Sequence, residues 1–274
     1  MPELSQVLPL LALIMAIGAF AGVVAGLLGV GGGIILVPAF FFAFAALGYE
    51  TPELMQICLA TSLATIIVTS LRSVMAHHRK GAVDWGILRA WGPGIAIGAV
   101  LGVVAASGLR NEALMVLFGV LALAVGLYLA FGRAHWRLGD QMPGGWARAI
   151  LSPLVGFLSV LMGIGGGSFG VPLMTLYGRP IHNAVATAAG FGVIIAVPSV
   201  LGFLMVSGDH PDRPPFMVGQ VNLVAFAVVV AMTLITTPWG VRLAHAMDPK
   251  PLKRVFAVFI MIMALNMLRK AFWG

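Results

Sequence analysis

Long apolar runs separated by short polar breaks dominate the chain. Five can be delimited in each half: 8–28, 33–47, 57–76, 85–107 and 113–131, then 147–161, 168–177, 184–207, 218–246 and 252–272. A helix needs about 20 apolar residues to cross the hydrocarbon core of a bilayer. The pattern predicts an all-α, polytopic membrane bundle of eight to ten segments, in which the second segment of each half is too short for an upright crossing.

Composition supports a membrane protein and excludes several other classes of protein. Hydrophobic residues make up 60% of the chain and charged residues 9%, against about 25% charged residues in soluble domains. The net charge of +7 comes from basic residues between the apolar runs, which indicates membrane topology and no nucleic-acid partner. The single Cys58 excludes an internal disulfide, and the adjacent His77 and His78 lack ligand spacing, so no metal is expected.

The chain repeats itself. Residues 22–38, GVVAGLLGVGGGIILVP, align without a gap with residues 156–172, GFLSVLMGIGGGSFGVP, with eight identities in 17 positions. Two further blocks match in the same order: 60–62 with 186–188, and 81–84 with 219–222. The offsets of the three blocks are 134, 126 and 138. We therefore predict a first membrane repeat at 1–132, a cytoplasmic linker at 133–148 and a second repeat at 149–274.

The two repeats are expected to be inverted. Each half makes an odd number of net crossings whether its first two segments cross or form a re-entrant hairpin, so the second copy lies upside down. Lys and Arg concentrate on the cytoplasmic side of membrane proteins. With the N-terminus outside, four basic residues fall outside: Arg110, Arg213, Arg269 and Lys270. Ten fall inside: Arg72, Arg79, Lys80, Arg133, Arg137, Arg148, Arg179, Lys250, Lys253 and Arg254.

A glycine-rich turn stands at the same place in both repeats. Gly31, Gly32 and Gly33 precede the short segment of the first half, and Gly165, Gly166 and Gly167 precede that of the second. Non-helical backbone at membrane depth needs a protein or water partner, and the helix beyond such a break presents free N–H groups with partial positive charge. The turns predict a site for a small anion. The alternative is that these glycines only let helices pack closely.

Hydroxyl side chains follow one face of the third segment. Thr61, Ser62, Thr65 and Thr69 recur there at helical spacing, and Thr187 repeats Thr61 in the second half, where Ala188 replaces Ser62. Hydroxyls can donate to an oxyanion without burying a charge, so these residues are candidate substrate ligands. Hydrogen bonds within or between helices are the alternative.

Two motif matches suggest enzymes. Gly165, Gly167 and Gly170 fit G-x-G-x-x-G, but no strand precedes them, so no dinucleotide cofactor is expected. Residues 166–170 fit G-x-S-x-G around Ser168, which makes an intramembrane serine hydrolase a rival hypothesis. Because Ile34 stands where the first repeat would carry that serine, we expect a protein that is not an enzyme, and count Ser168 among the candidate ligands.

The duplicated G-x-G-G-G turn with its following proline, and the A-T-S block at 60–62, resemble the TauE/SafE permeases, also called the 4-toluene sulfonate uptake permease family. The likeness runs from about residue 18 to residue 272. It implies a multi-pass permease of the bacterial inner membrane that moves sulfite or organosulfonates, often as export. A homodimer is left open, as are uptake and an anion channel of the same fold.

The acidic residues bear on the driving force. None lies in the middle of an apolar segment, and intramembrane carboxylates are the usual mark of proton or cation coupling. We therefore expect anion export driven by the membrane potential, with the N-terminus in the periplasm.

Overall fold

The structure is a computed structural model that describes residues 4–28, 33–132, 137–206, 208, 210, 212–246 and 249–273. The first half contains α1 (Leu4–Leu28), α2 (Gly33–Ala46), α3 (Leu54–Arg79), α4 (Trp85–Gly108) and α5 (Asn111–Phe131). The second contains α6 (Gly145–Leu161), α7 (Gly167–Leu176), α8 (Ile181–Met205), α9 (Leu223–Ala246) and α10 (Pro249–Trp273). Between α8 and α9 lies a hairpin of β1 (Met217–Val218) and β2 (Val221–Asn222). The predicted helical membrane bundle is confirmed.

Six helices in the described part of the chain are long and apolar enough to cross a membrane: α3, α4, α5, α8, α9 and α10. Large apolar side chains on them face outward, among them Ile97, Val104, Ile235 and Leu265. The interior is filled by aromatic side chains such as Phe40, Trp91 and Phe191, which are fully or almost fully buried. An apolar exterior around a packed interior is the arrangement that a bilayer stabilises.

Equivalent helices of the two halves run in opposite directions. The amide of Asn183, at the start of α8, donates to the carbonyl of Ala82 beyond the end of α3, at 3.1 Å. At the other end of α3, the side chain of Gln220 donates to Glu53 at 3.1 Å, while its N–H donates to Phe203 near the end of α8 at 3.0 Å. We call these two ends of the bundle the Arg79 end and the Glu53 end. The repeats are therefore inverted.

Pairs of helices across the two halves obey the same symmetry. The first helix of each half packs in parallel against the fourth helix of the other: α1 against α9, and α6 against α4. Glycines bring these backbones together, since a Cβ on Gly156 would lie 2.0 Å from the carbonyl oxygen of Ile95 and one on Gly22 would lie 2.1 Å from the hydroxyl of Thr236. The halves are interlocked rather than side by side.

The two short helices re-enter. Helix α1 begins at the Glu53 end because it runs parallel to α9, and α2 starts beside Ile66, half-way along α3, and returns to that end. Helix α6 begins at the Arg79 end, and α7 returns there, where Leu138 donates its N–H to Leu176 at 2.7 Å. Within the described residues, each half therefore has one hairpin that enters and leaves on one side, plus three long helices.

Two details differ from the sequence-based prediction. Helix α6 begins at Gly145, inside the predicted linker, and the apolar segment predicted at 218–246 starts as a hairpin, with α9 beginning only at Leu223. Gly219 at the hairpin turn has φ +54°, a conformation that suits glycine. The division at 132/133 and 148/149 stays a prediction, and residues 133–136 lie outside the described ones.

Candidate functional site

A cavity of about 340 Å³ lies between the two halves. Its floor contains Gly33 at the start of α2 and Gly165, Gly166 and Gly167 before and at the start of α7. Its wall follows α3 from Thr65 to His77, close to the Arg79 end, and Thr233 and Thr237 on α9 complete it. Gly33 and the second glycine turn thus meet at mid-depth under a cavity that extends toward the Arg79 end.

The turn before α7 depends on glycine. Gly163 has φ +60°, and Gly166 lies so close to α8 that a Cβ would come within 2.3 Å of the Cβ of Phe191. Ser62 holds the turn in place by donating to the carbonyl of Gly163 at 2.7 Å. The same carbonyl lies 3.0 Å from the place a Cβ on Gly33 would take. Of the first glycine turn, Gly31 and Gly32 lie outside the described residues.

Helix α7 points its N-terminus at the cavity floor. No side chain of the described residues caps it, and its first backbone bond runs from the N–H of Gly170 to the carbonyl of Gly166 at 2.8 Å. The N–H groups of residues 167–169 therefore have no acceptor within the helix. They give this end of the cavity a partial positive charge.

Several hydroxyls on the wall already donate to their own helices. The acceptors are backbone carbonyls. Thr65 donates to the carbonyl of Ser62 at 2.7 Å, Thr69 to that of Thr65 at 3.1 Å, and Thr237 to that of Thr233 at 2.6 Å. A hydroxyl has one proton, so these can accept from a ligand but must rotate to donate to an anion. Ser70 differs, because the structure records no hydrogen bond from its hydroxyl to any described residue. It lies 3.8 Å from the Cβ position of Gly165.

Charge on the cavity wall is positive. Arg72 lines it on α3, and no carboxylate among the described residues forms an ion pair with it. None of the described lining residues is Asp or Glu. With the helix N-terminus, the guanidinium makes the cavity suited to an anion.

Thr61 and Thr187 lie elsewhere. Both are fully buried and neither lines the cavity. Thr61 accepts the N–H of Asn222 at 3.0 Å, and Thr187 accepts the N–H of Asp84 at 2.9 Å. Each hydroxyl thus anchors the residue before α9 or α4 of the opposite half, as the repeat symmetry requires. Their predicted role as ligands stays a prediction.

Ser168 also lies outside the lining. Its hydroxyl is buried and has no hydrogen-bond partner among the described residues. The structure therefore brings together Gly33, Thr65 and Gly165 to Gly167, with Ser62 supporting them from behind.

Sequence reasoning missed Ser70, Arg72, His77, Thr233 and Thr237 as lining residues. Arg72 was interpreted only as a topology signal. A helical-spacing signal existed, since Thr65, Thr69, Ser73 and Ala76 follow one face of α3. This spacing does not indicate which face of α3 meets a cavity, because apolar residues lie on every side of the helix.

Comparison with known proteins agrees with this architecture. A family model described as "Sulfite exporter TauE/SafE" matches residues 14–267. The chain belongs to the TauE/SafE family. This confirms the predicted resemblance, and the chain is a multi-pass membrane transporter.

Relatives are similar over nearly the full length. A "Probable membrane transporter protein" of Haemophilus influenzae is 29% identical over 94% of this chain and 98% of its own length. One from Methanocaldococcus jannaschii is 25% identical over 96% and 97%, and YunE of Bacillus subtilis is 30% identical over 72% and 78%. No solved structure matches the chain significantly.

Proposed function

We propose that this transporter is a secondary carrier that exports a small sulfur-containing oxyanion, sulfite or an organosulfonate, and that the cavity lined by Gly33 and the second glycine turn binds it. The observation that carries the proposal is the uncapped N-terminus of α7 at the floor of a cavity lined by Arg72 and by no described carboxylate. An oxyanion presents several acceptor oxygens, which match free N–H groups, hydroxyls and a guanidinium.

The export direction rests on charge. Helix directions bring Arg79, Lys80, Arg137, Arg148, Arg179 and the start of α10 to the Arg79 end. Because basic residues favour the cytoplasmic side, we assign this end to the cytoplasm of a bacterial inner membrane and the N-terminus to the periplasm. The cavity would then take anions from the cytoplasm. One negative charge moving outward gains about 2.3 kcal/mol per 100 mV of potential.

Anion flux from proteoliposomes under an imposed potential tests the proposal. Sulfite, sulfoacetate, taurine, sulfate and chloride would be compared. We expect selective efflux of a sulfur oxyanion that increases as the interior is made more negative. Flux that depends on a proton gradient at constant potential would contradict potential-driven export, and non-selective flux would favour a channel.

Gly165→Leu is the blocking variant. A Cβ there meets Ile66 at 3.2 Å, so the remaining side chain enters the cavity with modest strain, and flux should fall to background. Gly144→Leu is the matched control because a Cβ at Gly144 meets no atom of the described residues within 4 Å. Arg72→Gln should raise the KM for the anion while Arg72→Lys retains most of the affinity. Unchanged flux in folded Gly165→Leu would place the site elsewhere.

A further inference from the structure

An ion pair joins the two halves at the Glu53 end. Glu53, just before α3, lies with its Oε2 3.5 Å from the Nε of Arg213, in the segment between α8 and β1. The side chains are only 19% and 13% exposed. The amide of Gln220 donates to the same carboxylate oxygen at 3.1 Å, and the imidazole of His210 lies 3.9 Å from the other.

Arg213 also braces the hairpin before α9. It donates to the carbonyl of Gly219 at 2.7 Å and to the side chain of Gln220 at 3.1 Å. Gln220 is fully buried, and its N–H donates to Phe203 near the end of α8 at 3.0 Å. The ion pair therefore attaches the hairpin to α3, while the N–H of Gln220 attaches it to α8.

The Arg79 end carries an ion pair at the position that corresponds to Glu53, although its second member, Asp84, aligns with Asn222 and not with Arg213. The offset of 126 that aligns α3 with α8 places Arg179 opposite Glu53. Arg179 lies 3.6 Å from Asp84, again across the two halves, with side chains that are 41% and 29% exposed. The pair is therefore more hydrated than the one at the Glu53 end, and it lies at the end toward which the cavity extends.

The same symmetry identifies a closed passage. Ser73 on the cavity wall of α3 corresponds to Ser199 on α8, which is fully buried and donates to Ile195 at 2.7 Å. Around it α4 packs tightly against α8, since a Cβ on Gly202 would lie 2.8 Å from Val103. In this conformation the passage along α3 is open, and the symmetry-related passage along α8 is closed.

We propose that the Glu53–Arg213 ion pair is the latch that keeps the passage along α8 closed at the Glu53 end. When the pair separates, the hairpin releases α3, the face of α8 around Ser199 becomes accessible from the Glu53 side, and the passage along α3 closes. Rocking of one repeat against the other about a fixed site produces such alternation. The latch rests on the carrier mechanism proposed above, whatever anion is carried.

Thiol labelling tests the latch without any transported substrate. In a Cys58→Ala background, Ser73→Cys and Ser199→Cys would each be labelled by a charged, membrane-impermeant methanethiosulfonate added to one side of oriented vesicles. Ser73→Cys should react from the Arg79 side and Ser199→Cys should be protected. Glu53→Gln and Arg213→Gln should each raise Ser199→Cys labelling from the Glu53 side about tenfold or more, because a mostly buried charge loses its partner.

Three control variants accompany the test. Arg179→Gln breaks the Arg179–Asp84 pair at the Arg79 end and should leave Ser199→Cys protected. The charge-swapped E53R/R213E protein should return labelling toward that of the parent. Glu53→Asp keeps the charge but shortens its reach, and should give intermediate labelling in a protein that still folds.

Two results would overturn the latch. One is unchanged Ser199→Cys labelling in folded Glu53→Gln, Arg213→Gln and Glu53→Asp proteins. The other is an equal increase caused by Arg179→Gln. Neither depends on which anion is carried, so the substrate proposal and the latch can fail separately.

Discussion

The Glu53 end and the Arg79 end share two kinds of cross-half contact, packed to different degrees. At each end a threonine hydroxyl accepts the N–H of the residue that precedes α9 or α4, and an ion pair links the start of α3 or α8 to the opposite half. At the Glu53 end the ion pair is largely buried; at the Arg79 end it is more exposed, and the cavity extends toward it.

The difference shows that the side toward which the cavity opens depends on the conformation as well as on the sequence. Helices α4 and α8 pack tightly where their counterparts α9 and α3 leave a cavity. Two related repeats that pack in two ways can exchange those packings at modest cost, which is how inverted-repeat carriers expose one site to two sides.

The largest effect is expected at the glycines that join the first and fourth helices. Gly156→Ala would drive a Cβ into the backbone carbonyl of Ile95, 2.0 Å away, and should destabilise the protein by about 3 kcal/mol. The counterpart Gly22→Ala meets the side-chain hydroxyl of Thr236 first and the backbone Cα of Thr233 only at 2.8 Å, so a smaller loss of about 1–2 kcal/mol is expected. Thermal unfolding in detergent measures both, with Gly108→Ala as the unhindered control. Equal losses of stability in Gly156→Ala and Gly22→Ala would contradict this expected difference.

Next in size is the contrast between the two ion pairs. Glu53→Gln should lower the free energy of unfolding by about 1–3 kcal/mol because Arg213 stays largely buried without its partner. Arg179→Gln should cost less than about 1 kcal/mol because its pair is hydrated. Raising the salt concentration should shrink only the second loss. Denaturation curves at low and high salt provide the measurement, and the reverse order would remove the distinction between the ends.

A smaller loss is expected for the buried threonines. Thr61→Val and Thr187→Val each leave a backbone N–H without its acceptor, at a cost of about 1–2 kcal/mol. Thr→Ser at either position retains the hydroxyl and should cost less. Thermal unfolding measures the stability, and anion flux measures the KM. A rise in KM for either valine variant would support the predicted role of that hydroxyl as a ligand in another conformation.

The smallest effect is expected at Ser168. Its buried hydroxyl has no partner among the described residues, so Ser168→Ala should be neutral or stabilise the protein by up to about 1 kcal/mol. Flux should be retained. If a folded Ser168→Ala protein lost all activity, the serine hydrolase hypothesis would gain support over the carrier.

Much of the architecture could be predicted from the pattern of residues. Apolar runs of membrane length predict helices because an unsatisfied backbone group in hydrocarbon is costly, and the duplicated glycine turns predict two related halves. An odd number of crossings and the distribution of basic residues then predict the inversion, which the opposed directions of α3 and α8 confirm.

The site could be predicted only in part. The glycines of the second turn, at the break before α7, and Thr65, within α3, are candidate ligands from the sequence, and both line the cavity. Ser70 and Arg72 were missed because α3 is apolar around most of its surface, so its sequence does not indicate which face meets a cavity. Thr61 and Thr187 were recognised by symmetry, yet their backbone partners lie 161 and 103 residues away.

The sequence by itself determined the membrane class, a bundle of eight to ten segments, the repeat and the pairing of equivalent positions, because these follow from local hydrophobicity and from direct comparison of two stretches of chain. Only the tertiary structure decided that α2 and α7 re-enter, that the cavity extends toward the Arg79 end and that Glu53 meets Arg213. Those features depend on contacts between distant segments and on one of two packings that the same repeats can adopt, and neither is written in local sequence.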